Sequence, residues 1–231
     1  MSFGENLQIL RKMRHGMTQE ELAEKMNVSR QTISKWELGS TYPEMEKAFD
    51  LCELFSCSLD QLLRQDMNSL SDVYSDIRVE EVKNFRYVPY TVISLESEND
   101  AIGHIMKWAE QCGIKEPQII GWDFPVLSQE QINVYHMHGY TAACILPENQ
   151  EISTDGAEVV YQNSNKYAVI TIKNPFNNPF NTIPNAYKTL MTYMQINNIK
   201  HKENKDVVGC FEKEYVKDGI TYMDVYIACD I

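Results

Sequence analysis

The chain has 231 residues and a formal net charge of −12, a length that suggests one large domain or two small ones. Its 43% hydrophobic and 23% charged residues exclude a mostly disordered chain, and no apolar run approaches the roughly 20 residues needed to cross a bilayer. The acidic total also excludes a general DNA-coating protein, which needs excess positive charge, but it leaves room for a local basic face.

The opening stretch MSFGENLQILRKMRHG scatters charges through its length and is not expected to act as a secretory signal. Six cysteines without a CxxC pair indicate neither a zinc site nor a disulfide scaffold, so a cytoplasmic protein with reduced thiols and no cofactor is expected. Charge is placed unevenly. Residues 1–66 carry a net −3 and residues 67–231 a net −9, whereas residues 11–35 alone carry +3.

Leu7, Leu10 and Met13 recur at helical spacing and Gly16 ends that helix. Thr18-Gln19-Glu20-Glu21 reads as a capping box, followed by the apolar stripe Leu22, Ala23 and Met26. Asn27 suits a left-handed turn, Ser29 caps a third helix with Ile33 and Trp36 inward, and Gly39 closes it. Pro43 starts a fourth helix bearing Met45, Ala48, Phe49, Cys52 and Leu54. Ser58-Leu59-Asp60-Gln61-Leu62-Leu63 supplies a fifth. Two capped helices joined by a tight turn, with an exposed polar second helix, constitute a helix-turn-helix.

Over residues 5–64, the ordered set Thr-Gln-Glu-Glu-Leu-Ala, Val-Ser-Arg-Gln-Thr-Ile-Ser-Lys-Trp-Glu, Gly39, Pro43 and Ser-Leu-Asp-Gln-Leu-Leu closely resembles the phage Cro/repressor (XRE) family. The resemblance implies that the third helix enters the major groove of an operator duplex, usually as a homodimer. Carried over position by position, it makes Arg30, Gln31 and Lys35 the base readers, with Ser29, Thr32 and Ser34 in support and Gln19 on a phosphate. Arginine and lysine suit guanine O6/N7, and glutamine suits adenine N6/N7. Trp36 and Glu37 match structural positions.

Residues 65–76 (QDMNSLSDVYSD) are polar, acidic and without periodicity, and read as a connector. The expected organisation is a DNA-binding domain over 1–66, a linker over 67–77 and a second domain over 78–231. In the latter, Tyr87–Glu96 reads as a strand, residues 99–112 as a helix stopped by Gly113, and Gln118–Phe124 and Val134–Leu146 as strands. The order then recurs: strand Lys166–Lys173, a helical stripe from Ile183 to Met194, and strands Val207–Tyr215 and Thr221–Cys229, with Val159–Tyr161 as a short extra strand. A duplicated βαββ plan predicts an α+β domain with a mainly antiparallel sheet and two helices on one side.

This plan, with IIGWDFP (119–125), HGYTAACILPEN (138–149), KYAVITIKNPF (166–176) and CFEKEYVKDGITYMDVYIACDI (210–231), resembles the GyrI-like effector-binding domain. The resemblance implies a small-molecule effector, often a lipophilic cation, met by a strand glutamate and aromatic walls. Glu212 is the first choice for that glutamate and Glu214 the runner-up. Trp122, Tyr140, Tyr167, Tyr187, Tyr222 and Tyr226 are the aromatic candidates. A cation offsets the cost of a buried carboxylate and is attracted to aromatic faces.

His136-Met137-His138 on a strand would put both rings on one side. No third ligand stands at convincing spacing, so no metal site is expected. The reading is therefore a ligand-responsive transcription regulator and not an enzyme. The alternatives are a hydrolase using an acid beside a tyrosine, or a sequestering protein.

Overall fold

Five helices follow one another at the N-terminus, because most of their starts carry a side-chain cap. They are α1 (Phe3–Met13), α2 (Gln19–Met26), α3 (Arg30–Glu37), α4 (Met45–Leu54) and α5 (Leu59–Leu63). The computed structural model describes residues 2–64, 73–148, 153–154, 156–202 and 204–230. Ser2, Thr18 and Ser58 close capping boxes with Glu5, Glu21 and Gln61, and Ser29 caps α3, so amide donors left open at those helix starts are satisfied. Asn27, at φ 52°, takes the left-handed turn between α2 and α3 as expected.

Leu7, Leu10, Leu22, Ile33, Leu51, Phe55 and Leu62 form the sealed interior of this helical group. The expected stripe on α4 needs correction. Met45 and Phe49 are 61% and 54% exposed, and the buried seam runs through Ala48, Leu51 and Phe55. Pro43 precedes the helix, and Glu44 is its N-cap.

The remaining elements are strands β1 (Tyr74–Val82) and β2 (Phe85–Ser94), helix α6 (Ser97–Gln111), strand β3 (Gln118–Asp123), helix α7 (Gln129–Asn133), strands β4 (His138–Ile145), β5 (Val160–Gln162) and β6 (Asn165–Lys173), helix α8 (Pro179–Ile196), and strands β7 (Lys200–His201), β8 (Cys210–Lys217) and β9 (Ile220–Asp230). The duplicated βαββ order stands as β2-α6-β3-β4 and β6-α8-β8-β9. Residues 65–72 of the expected connector lie outside the described residues. From Tyr74 the chain is already in β1, a strand at the sheet edge whose half-exposed side chains show no apolar alternation in sequence.

Two compact units emerge, and they interleave along the chain. One combines the residues up to Ile77 with Ile170–His201 and Asp230; the other comprises Arg78–Val169 and Lys202–Cys229. Hydrogen-bonded strands follow the order β1-β6-β9-β8-β3-β4-β2-β5. The pairs β2–β4, β3–β4, β3–β8 and β8–β9 are antiparallel. One face of this sheet packs Val88, Ala142 and Cys144 against Ala101, Ile105 and Ala109 of α6. The reverse face gathers Tyr87, Ile120, Tyr167, Phe211 and Tyr226. Among the described residues, no helix is long and apolar enough to cross a membrane.

The expected strand Val134–Leu146 is shorter than predicted. Residues 129–133 form α7, and β4 begins only at His138. His136 sits in a turn at φ 51°, so the two histidines do not share a strand face. Ser128 and Gln131 form a capping box, and this local chemistry drives the short helix.

Candidate functional site

On the helical unit, α3 presents Arg30, Gln31 and Lys35 to solvent while Ile33 and Trp36 are buried beneath them. Ser29 and Thr32 are already engaged. Ser29 Oγ accepts the Thr32 amide at 3.1 Å and lies 2.9 Å from its hydroxyl. Ser34 is half-buried. Gln19 turns inward, and its side-chain amide donates to Glu37 at 2.8 Å.

Glu37 also receives the Arg11 guanidinium at 2.6 and 3.1 Å, and Arg11 donates to the Met17 carbonyl. Both side chains are nearly sealed from solvent, at 9% for Arg11 and 3% for Glu37. This paired triad ties α1, α2 and α3 together. Gly4 lets α1 approach the end of α3, where an added Cβ would stand 2.4 Å from the Glu37 carbonyl oxygen. Helix α3 is thus tied down from behind and left polar in front.

The second unit contains a cavity of about 230 Å³ lined by Ile102 and Met106 of α6, Ile119 and Gly121 of β3, Tyr140 of β4, and Glu212 and Glu214 of β8. Register explains how these side chains meet. Gly121 pairs with Ala142 on one side and with Glu212 on the other, while Tyr140 pairs with Asp123. Paired residues share a sheet face, so Tyr140 lies diagonally across β3 from Glu212. Its ring crosses the strand at Gly121, and its hydroxyl donates to Glu212 Oε2 at 3.2 Å. A Cβ on residue 121 would stand 2.1 Å from that hydroxyl, so only glycine leaves the passage open.

Carboxylates crowd this spot. Burial raises the Glu214 carboxyl above its ordinary range, and Glu98 at the start of α6 raises it further. Glu98 is itself raised by burial and by Asp123; Asp123 is raised by burial and partly relieved by His138. The Tyr140 phenol is pushed far above its usual value by burial, then by Glu212, Glu98 and Asp123. Tyr140 therefore stays a neutral hydrogen-bond donor at physiological pH. The arrangement attracts positive charge and suits no phenolate chemistry.

Of the eight sequence candidates for effector contact, Glu212, Glu214 and Tyr140 converge on this cavity. Trp122, Tyr167, Tyr222 and Tyr226 belong to the reverse face. There Phe211 stacks on Tyr226 at 4.4 Å, Tyr167 meets Phe211 edge-on, and Trp122 meets Tyr87 edge-on. Tyr222 stacks on Tyr215. Tyr187 is carried by α8, in the other unit. Sequence reasoning missed Glu98 and Asp123, which stand far from β8 along the chain, and only strand alternation could have flagged Asp123. It also missed Ile102 and Met106 as wall residues. They occupy the edge of the α6 stripe, where a core side chain and a cavity wall read alike.

A family model described as helix-turn-helix (HTH_3) matches residues 7–62. The chain is 39% identical over 88 residues to the HTH-type transcriptional activator BcrR of Enterococcus faecalis, an alignment covering 38% of this chain and 43% of BcrR. The chain thus spans less than half the length of that relative. It is 37% identical over 57 residues to an uncharacterised HTH-type transcriptional regulator of Archaeoglobus fulgidus, covering 25% of this chain and 81% of that protein. Among solved structures, EcmrR in a DNA complex aligns with 96% of this chain and 80% of its own, at 11% identity and a TM-score of 0.47.

Proposed function

The chain belongs to the helix-turn-helix family of transcriptional regulators, and from that premise we propose that it reads an operator duplex as a cytoplasmic homodimer through α3 and answers to a small lipophilic cation held in the cavity of a GyrI-like second unit. The observation that carries the effector half is the Tyr140–Glu212 pair in an acid-rich, apolar-edged cavity. A cation entering there would neutralise carboxylates that repel one another, while Ile102, Met106 and the Tyr140 ring would take its apolar surface. Arg30, Gln31 and Lys35 carry the DNA half, since they are the long polar side chains that α3 leaves exposed.

The family premise makes the acidic total intelligible. Negative charge on the second unit repels phosphate and confines DNA contact to the local basic face. A ligand alters DNA binding only through different affinities for the competent and incompetent states.

The test has two arms on the full chain. A duplex selected by the protein from a random pool should bind more weakly or more tightly when tetraphenylphosphonium is added, and triphenylphosphine oxide, a neutral analogue, should have no such effect. Equal responses to both compounds overturn the cation reading. Turnover of a bound compound would point instead to hydrolysis.

A further inference from the structure

Helix α8 lies inside the second βαββ set by sequence, yet it groups with the N-terminal helices in one compact unit. Ile196, 1% exposed, is part of the same sealed interior as Leu7, Leu10 and Phe55, with Tyr193 packed at its edge. A helix encoded more than a hundred residues beyond α5 therefore completes the core of the DNA-reading group.

The polar ties at this junction are specific. Asn197 Nδ2 donates to the Met13 carbonyl at 3.0 Å and to the Tyr193 carbonyl at 2.8 Å, joining the last turn of α1 to the last turn of α8. Arg14, the C-cap of α1, donates through Nη1 to the Ile196 carbonyl at 3.2 Å and also to the Leu54 carbonyl. Gln195 Nε2 donates to the Ser56 carbonyl at 2.5 Å. Three helix C-termini, those of α1, α4 and α8, thus converge. Each ends in carbonyls with no partner inside its own helix and carries the negative end of its dipole. One guanidinium and one amide donate to carbonyls from all three ends, and the Met13 and Tyr193 carbonyls also accept backbone amides.

Behind this junction, α1 is locked to the reading helix by Arg11–Glu37 and by the close approach at Gly4. From Asn197 the chain runs through β7 to β8, the strand that bears Glu212 and Glu214.

We infer that α8, latched by Arg14 and Asn197 onto the ends of α1 and α4, is the regulatory element through which the second half of the chain sets the DNA affinity of α3. The inference rests on the regulator reading above and adds the place where control is exerted. The docked α8 is the DNA-competent state in this inference, so by linkage DNA binding must tighten the docking of α8.

The experiment uses the full chain, a duplex selected by the wild-type protein, fluorescence anisotropy and hydrogen exchange. Asn197→Ala should raise the duplex Kd by about threefold or more, although the residue caps α8 and does not lie on α3. Exchange should quicken at the ends of α1 and α4 and stay unchanged in β3 and β4. Adding the duplex to wild-type protein should slow exchange over residues 193–198. If Asn197→Ala loosens the whole chain, Gln195→Ala takes its place, with a shift of about twofold expected in the same direction.

An unchanged Kd despite faster exchange in α1 and α4 would overturn the proposal, because docking would then be packing alone. So would a duplex that leaves residues 193–198 unaffected. A wild-type protein that selects no duplex at all would instead fell the regulator reading.

Discussion

The two units handle buried charge in opposite ways. Behind α3, Arg11, Glu37 and Gln19 form a closed set in which every charge has a partner within hydrogen-bond distance. Around Tyr140, the neutral phenol donates to Glu212, and Glu98, Asp123 and Glu214 are each raised by burial, Glu98 also by Asp123 and Glu214 also by Glu98. A closed set makes a rigid platform, whereas a crowded set of one sign stores repulsion that an incoming cation relieves. On the proposed function, the contrast separates a surface that must hold its shape from a pocket that responds to its contents.

The contrast breaks most severely if the platform loses its anion. Glu37→Ala leaves the Arg11 guanidinium buried and unpaired, and about 3–5 kcal/mol of stability should vanish from the helical unit in a denaturant titration. A loss below about 1 kcal/mol would mean that water reaches Arg11 and that the set is not closed. Next in size is Arg30→Ala, which should remove about 1–3 kcal/mol of discrimination between the selected duplex and a scrambled one, leaving non-specific binding nearly intact. Competition anisotropy reads both quantities.

Gly121→Ala should cost about 1–3 kcal/mol, since the new methyl drives the Tyr140 ring out of its path across β3. Near-ultraviolet dichroism should register the displaced tyrosine, and tetraphenylphosphonium binding should weaken with it. Glu212→Gln keeps shape and removes charge. Calorimetry should find the cation bound about tenfold more weakly, roughly 1.4 kcal/mol, with any binding of triphenylphosphine oxide unchanged.

The smallest effect concerns pH. Glu98, Asp123 and Glu214 have folded-state pKa values above their unfolded ones. Their contribution to stability is therefore undiminished below the ordinary carboxylate range and is lost as pH rises through the raised values. Thermal melts of the free protein should show this decline, and a bound cation should flatten it. A decline that Glu98→Gln leaves untouched would assign the effect elsewhere.

Much of the first unit was legible because its signals are local. Thr18–Glu21, Ser29 and Ser58–Gln61 cap helices within three residues of chain, and Asn27 and Gly39 mark turns by their own backbone freedom. The phase of α4 was not legible. Met45 and Phe49 look like core in a stripe and lie outward, because the packed helical core takes Leu51 and Phe55 and leaves the opposite face of α4 uncovered. Gln19 read as a phosphate contact, and its side-chain amide donates to Glu37 Oε2, the oxygen that also accepts from Arg11. In the second unit, Glu212, Glu214 and Tyr140 could be named from strand fragments. Glu98 and Asp123 could not, because their relevance comes from the pairing of β3 with β4 and from the seat of α6.

What the amino-acid order determined unaided is most of the list of elements: five helices, four of them with a side-chain cap, then strand and helix in a repeated plan, because hydrogen-bond caps, turns and apolar period act over a few residues. Tertiary structure alone decided which side chains share a face and which helix completes which core. Ile196 seals the interior beside Leu7, and Tyr140 reaches Glu212 across Gly121. Those contacts depend on strand register and on the burial of apolar surface between segments distant in the chain, and both are global compromises that no short stretch of sequence encodes.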